Sequence, residues 1–247
     1  MKRFKNILCM VDPEKECKTA LERAVSLAEN NQASLTVVTV TPAITVGFGM
    51  PEGGPISAEL QDASVAHHKQ ELETLIAPYR QGISIETRVL TGTPFLEIIR
   101  EVLRNAHDLL IKCPESPDWL GRLFSSDDKH LLRKCPCPVW MVRPQTGELF
   151  DVIMAAVDVD DGYPPKELEA RQSLNEMILE LASSLAVSEF AELHVAHAWE
   201  AIGESALRHG AFIMQRSEKE VNTYVDQVHR HHTQLLDTLI NDVSAKL

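Results

Sequence analysis

Asn6-Ile-Leu-Cys-Met-Val-Asp12 is a short apolar run closed by an acid, and Val152-Ile-Met-Ala-Ala-Val-Asp158 repeats that form 146 positions later. Working outward, Ser26-Leu-Ala28 followed by Ala33-x-Leu35-x-Val37 recurs as Ser184-Leu-Ala186 followed by Ala191-x-Leu193-x-Val195, 158 positions on. His67-His-Lys-Gln-Glu-Leu-Glu-Thr-Leu-Ile76 recurs as His231-His-Thr-Gln-Leu-Leu-Asp-Thr-Leu-Ile240 after 164 positions. Three blocks in one order, with offsets that grow only by loop insertion, mark a duplication. The seam is the Pro/Gly/polar stretch Pro144-Gln-Thr-Gly-Glu148. Leu247 corresponds to about Ile83, so Ser84 to Val142 of the first copy has no counterpart. The expected organisation is a complete domain over 1–143, a linker over 144–150, and the first half of a second domain over 151–247.

The first copy alternates strand and helix. Ile7–Val11 reads as a buried strand, and Glu16–Asn30 as a helix whose apolar face is Ala20, Leu21, Ala24, Val25, Leu27 and Ala28. Ser34–Thr41 alternates Leu/Val with Thr, as a strand does. After a Gly/Pro-rich loop (42–56) come a helix at Ala58–Tyr79, a strand at Ile83–Leu90, a Gly92-Thr-Pro turn and a helix at Phe95–Asn105. A strand at Leu109–Lys112, a long loop, a helix at Asp127–Lys134 and a strand at Val139–Val142 complete it. Five short strands separated by helices predict an α/β fold with a doubly wound five-stranded parallel sheet, plus the partial second copy. Ligands of such sheets sit beyond the carboxyl ends of the strands, at the switch point. Here that is the ground around Asp12, Val40–Pro42 and Cys113–Ser126.

Composition narrows the function. Acids outnumber bases 36 to 24, a net charge of −12, which argues against nucleic acid as a partner because phosphate contacts need clustered Lys and Arg. No apolar run approaches the roughly 18–20 residues that span a bilayer, and the run after Met1-Lys-Arg-Phe-Lys5 is broken at Asp12, too short for a secretory core. The expected location is therefore the cytoplasm, with no membrane partner. An odd count of 5 cysteines fits reduced thiols better than a disulfide framework.

The ordered set of Val11-Asp12, Leu35-Thr-Val-Val-Thr-Val-Thr-Pro42, Gly92-x-Pro94 and Leu131-Leu-Arg-Lys-Cys-Pro-Cys-Pro-Val-Trp-Met-Val142 resembles the universal stress protein family. With His107-Asp-Leu-Leu-Ile-Lys112 it resembles most the tandem E-type members, here with the second repeat incomplete. The resemblance implies the adenine nucleotide alpha hydrolase-like sheet and a dimer or pseudo-dimer formed through the last strand. In nucleotide-binding members the first-strand aspartate and a second-strand valine hold adenosine, which carries over to Asp12 and Val40. A loop of form Gly-x2-Gly-x9-Gly-Ser/Asn takes the phosphates, because only glycine lets backbone N–H groups close on phosphate oxygens ahead of a helix N-terminus. Counted back from Cys137-Pro-Val, the glycine positions fall on Lys112, Glu115 and Ser125, and the hydroxyl on Ser126. All three glycines are missing, while Asp12 and Ser126 remain. In full-length E-type relatives the glycine loop tends to lie in the part of the second repeat that has no counterpart here.

The departure has a magnitude. From Lys112 to His130 the acids Glu115, Asp118, Asp127 and Asp128 outnumber Lys112, Arg122 and Lys129 by one. A carboxylate about 4 Å from a phosphate charge costs roughly 4 kcal/mol at an effective dielectric of 20, which cancels a millimolar site. Lys112 offsets part of this, and Pro114 and Pro117 restrict the loop further.

Other residues have plainer roles beside the chemical ones. Asp158 reads as a turn carboxylate hydrogen-bonding the N-terminus of the following helix. His229 and His232 share a helix face at a spacing used in metal sites, yet stand among Gln and Thr as a solvated surface would; no metal is expected. His194 and His197 face opposite sides of a strand. Cys113 ends the fourth strand near helix N-termini, where a thiolate finds support, although packing suffices to explain it. Phe48, Met50, Trp119, Leu120, Leu123 and Phe124 read as fillers of the cleft a nucleotide would occupy. With no nucleophile elbow, Walker loop or Gly-x-Gly-x-x-Gly motif, no enzyme is expected. The favoured function is a non-enzymatic stress-response module acting through protein contacts, as a homodimer and with other proteins, with no cofactor. The alternatives are an ATP-binding sensor or slow ATPase using Asp12, Val40 and Ser126, and a carrier of a small apolar ligand using Trp119, Phe124 and Phe48.

Overall fold

The computed structural model describes residues 4–13, 18–44, 55–114, 126–143, 150–209 and 216–246, with only the backbone of Pro55, Ile56 and Ser126. In the first copy β1 (Asn6–Met10) leads to α1 (Lys18–Asn31) and β2 (Ser34–Thr41), then to α2 (Pro55–Ile76) with a 3₁₀ turn at Ala77–Tyr79. β3 (Ile85–Thr91), α3 (Pro94–Asn105), β4 (Leu109–Lys112), α4 (Ser126–Lys134) and β5 (Val139–Met141) follow. The strands form one sheet in the order β3-β2-β1-β4-β5, parallel throughout. The switch point thus lies between β1 and β4.

Period-two patterning explains the double winding. Ile7, Cys9 and Val11 join Leu35, Val37 and Ile111 in the core beneath α1 and α2. Leu8, Val38 and Leu110, the intervening residues, pack with Ile98 and Val102 of α3 and Leu131 of α4. Each such side chain contributes about 1.5–3 kcal/mol by leaving water. The apolar stripe of α1 is the expected set, from Ala20 to Ala28, all buried. At the β3–α3 turn Gly92 has φ +140, and a Cβ there would stand 3.0 Å from the Glu97 side chain, so only glycine fits.

The chain divides into two compact units, and residues 148–247 fall in the second. Its elements are β6 (Val152–Val157), α5 (Pro165–Glu189), β7 (Glu192–His197), α6 (Glu204–His209) and α7 (Glu218–Ser244), the last opened by a Ser217–Glu220 capping box. β6 pairs β7 in parallel, Val152 opposite Glu192, the same register as Asn6 opposite Ser34 after the 146 and 158 offsets. The echo extends to loops. Ser34 N donates to Lys5 O and Glu192 N to Asp151 O, both at 2.9 Å, and the residues after α1 and α5, Gln32 and Phe190, both have positive φ. Ala155, Val157, Leu179, Leu239 and Val243 form this unit's core.

Candidate functional site

The carboxyl ends of β1, β2 and β4 meet at the switch point. Val11 N donates to Val38 O at 2.9 Å, so the Met10–Val38 register, carried two residues on, sets the half-buried Asp12 level with Val40. Val40 packs at the margin of the core under α3. Ser126 is the first residue of α4. The structure thus brings Asp12 and Val40 side by side and places Ser126 at a helix N-terminus. Glu115, Ser125 and the apolar residues Phe48, Met50, Trp119, Leu120, Leu123 and Phe124 lie outside the described residues.

What occupies this corner is an ion pair. Lys112, the residue at the first missing glycine, ends β4 between Met10 of β1 and Met141 of β5. It shares the strand face of Leu110, toward α3 and α4, and its Nζ donates to Asp128 Oδ1 at 2.5 Å. Side-chain exposure is 3% for Lys112 and 0% for Asp128. Asp127 and Asp128 both lie in the first turn of α4, where unpaired N–H groups and the helix dipole favour a negative charge. The corner that would attract a phosphate therefore already holds a carboxylate, and the strand that would approach it through glycine carries a lysine whose charge is spent on that carboxylate. The sequence presents these two residues as members of a net-negative loop; it gives no sign that they meet, because 16 positions separate them.

Cys113, next after β4, is disulfide-bonded, in place of the reduced thiol expected from the cysteine count. Cys9, Cys135 and Cys137 are free.

The second unit's strand ends carry different groups. Asp158 pairs with Arg171 of α5, and its backbone N–H and C=O are both bonded by the Asn175 amide. The carboxylate thus binds the Arg171 side chain, in the second turn of α5, and the Asp160 N–H within the loop, where the sequence reading expects the helix N-terminus. His197 Nε2 lies 3.1 Å from His232 Nδ1, and Trp199 lies against His229 with ring centroids 5.1 Å apart. His197 does not pair with His194, as expected, but the contact between β7 and α7 was missed. A signal was present in the repeat: His197 corresponds to Thr39 and His232 to His68, residues of a strand and helix adjacent in the first copy. Among the described residues no group of three or more His, Cys, Asp or Glu side chains is placed to hold a metal ion. No helix among them is long and apolar enough to cross a membrane.

Residues 3–143 match the Universal stress protein family. Universal stress protein E of Photorhabdus laumondii is 31% identical over 207 residues, covering 81% of this chain and 63% of the relative. Universal stress protein E of Escherichia coli K12 is 30% identical over the same shares. The chain thus spans somewhat less than two thirds of these relatives' length. Among solved structures, a functionally unknown protein from Pseudomonas aeruginosa PAO1 superposes with a TM-score of 0.58 at 24% identity, covering 94% of this chain and 70% of that one. Universal stress protein UspA from Lactobacillus plantarum gives a TM-score of 0.50 at 24% identity, covering 58% of this chain and all of that one. At these identities the structural likeness is one of fold.

Proposed function

The chain belongs to the universal stress protein family, of the E type, and from that premise we propose that it is a non-enzymatic stress-response module acting through protein contacts, its first unit no longer a nucleotide site. The family membership carries the stress-response role. The loss of nucleotide binding rests on one observation, the buried Lys112–Asp128 pair at the N-terminus of α4. To admit a phosphate there, Asp128 would have to leave a site where it is fully buried or stand beside a second anion, a repulsion of about 4 kcal/mol at 4 Å and an effective dielectric of 20. Asp12, Val40 and Ser126 then remain as inherited positions without a phosphate grip.

Protein contact is supported by the apolar surface of the second unit. Val152 and Met154 of β6 are 51% and 68% exposed, and Phe190 and Ile202 are 96% and 82% exposed. The outer edge of β6, like that of the edge strand β5, offers backbone donors and acceptors to a second copy of the chain. The reading places the protein in the cytoplasm, without cofactor. Its test is thermal unfolding with and without 1 mM Mg-ATP. A 10 µM site would add about 2.7 kcal/mol at that concentration and raise the midpoint by several degrees. The expected result is an unchanged midpoint; a clear rise would restore the ATP-sensor alternative.

A further inference from the structure

Cys135 and Cys137 sit in the turn that joins α4 to β5, with their Sγ atoms 3.6 Å apart. We propose that this Cys135-Pro-Cys137 turn is a dithiol switch which hydroperoxides convert to a disulfide within the turn. A disulfide needs an S–S distance near 2.05 Å, so the sulfurs have only about 1.5 Å to close. Both residues are half-buried and the intervening Pro136 is exposed, so a small oxidant reaches them from solvent. Cys9 is the internal contrast: it is fully buried, and burial pushes its thiol up to about 12, which leaves it inert.

The two sulfurs are not equivalent. The Cys137 thiol donates a hydrogen bond that holds Cys135 down to about 7, against the opposing effect of burial. Cys137 is pushed well above its ordinary range by that same hydrogen bond, by burial, and by the charges of Cys135 and Asp108. The carboxyl end of α4 works against an anion at Cys135, and Arg133 and Lys134 in the last turn offset it. Cys135 is therefore the attacking thiolate and Cys137 the resolving thiol.

The chemistry balances with a hydroperoxide as oxidant. The Cys135 thiolate attacks the terminal peroxide oxygen; the S–O bond forms, the O–O bond breaks, and the alkoxide leaves and takes up a proton as alcohol or, from hydrogen peroxide, as water. The Cys137 sulfur then attacks the Cys135 sulfenic sulfur. The S–S bond forms, the S–O bond breaks, and hydroxide leaves with the Cys137 proton as water. Two electrons pass from the dithiol to the peroxide.

At pH 7 a thiol near 7 is half ionised, while an ordinary one near 8.5 is about 3% ionised. Lower intrinsic nucleophilicity takes back roughly a factor of five, leaving Cys135 about threefold faster than a simple thiol. The test treats the full chain, reduced and freed of reductant, with hydrogen peroxide, alkylates remaining thiols and maps tryptic peptides by mass. The expected product is the peptide beginning at Cys135 lighter by two hydrogens and restored by dithiothreitol, formed about threefold faster than glutathione reacts, with a rate that rises through pH 7. Cys137→Ser should stop at a Cys135 sulfenic acid trapped by dimedone, and Cys135→Ser should give no disulfide at the turn and consume peroxide at about a third of the parent rate or less. A disulfide from either residue to another cysteine, modification of Cys137 ahead of Cys135, or no reaction while glutathione is consumed would overturn the proposal.

Discussion

At the scale of single residues the decisive pair is Lys112 and Asp128. Both side chains are buried, and breaking a buried ion pair by removing one partner typically costs about 3–5 kcal/mol, whereas replacing both by apolar groups of similar volume is close to neutral. Lys112→Met should destabilise the chain by about that amount, and Lys112→Met with Asp128→Leu should recover most of it, measured by urea unfolding. Additive losses in the double variant would mean that the two side chains do not act together. His107 gives a pH signature. Its side chain is 1% exposed, and burial holds its imidazole below the ordinary range, with the Glu101 carboxylate pulling the other way. The unfolded chain therefore binds this proton at a higher pH than the folded one, and His107 lowers stability as pH falls through about 6.5. His107→Gln should show a shallower loss of stability between pH 7.5 and 5.5 than the parent chain; equal slopes would count against the assignment.

At the scale of elements, the same strand appears twice in different surroundings. Leu8 of β1 is 0% exposed beneath α3 and α4, while Met154, its counterpart in β6, is 68% exposed. Leu8→Ala should cost about 2–5 kcal/mol, and Met154→Ala less than about 0.5 kcal/mol, both read from denaturant midpoints. A large effect at Met154 would reveal that this face is covered in solution. The elements themselves were legible because periodicity is a local property: the α1 stripe, β2 and β4 need only their own spacing of apolar residues. Boundaries moved where a neighbour decides them. The strand read from Ile83 begins at Ile85, the first residue paired with β2 at Leu35, and α2 begins at Pro55 rather than Ala58, proline being at home in a helix's first turn. The contacts that matter for the site were not legible. Lys112 with Asp128 and His197 with His232 depend on how two elements lie together, which no single spacing encodes.

At the scale of the molecule, duplication supplies a strand pair that can be compared with its own copy, and the copies differ in what stands at their carboxyl ends. The first copy carries a buried ion pair at its switch point; the second carries Asp158 bound to Arg171, with imidazole and indole rings at the end of β7. Asp12 and Val40 sit together as the sequence arrangement implies, and the phosphate corner beside them holds Lys112 and Asp128. The claim that this corner is filled from within is tested most directly by calorimetric titration of Mg-ATP into the 247-residue chain. No saturable heat is expected up to about 1 mM, near the affinity that one anion–anion contact erases. Saturable binding in the micromolar range, abolished by Asp12→Ala, would contradict it.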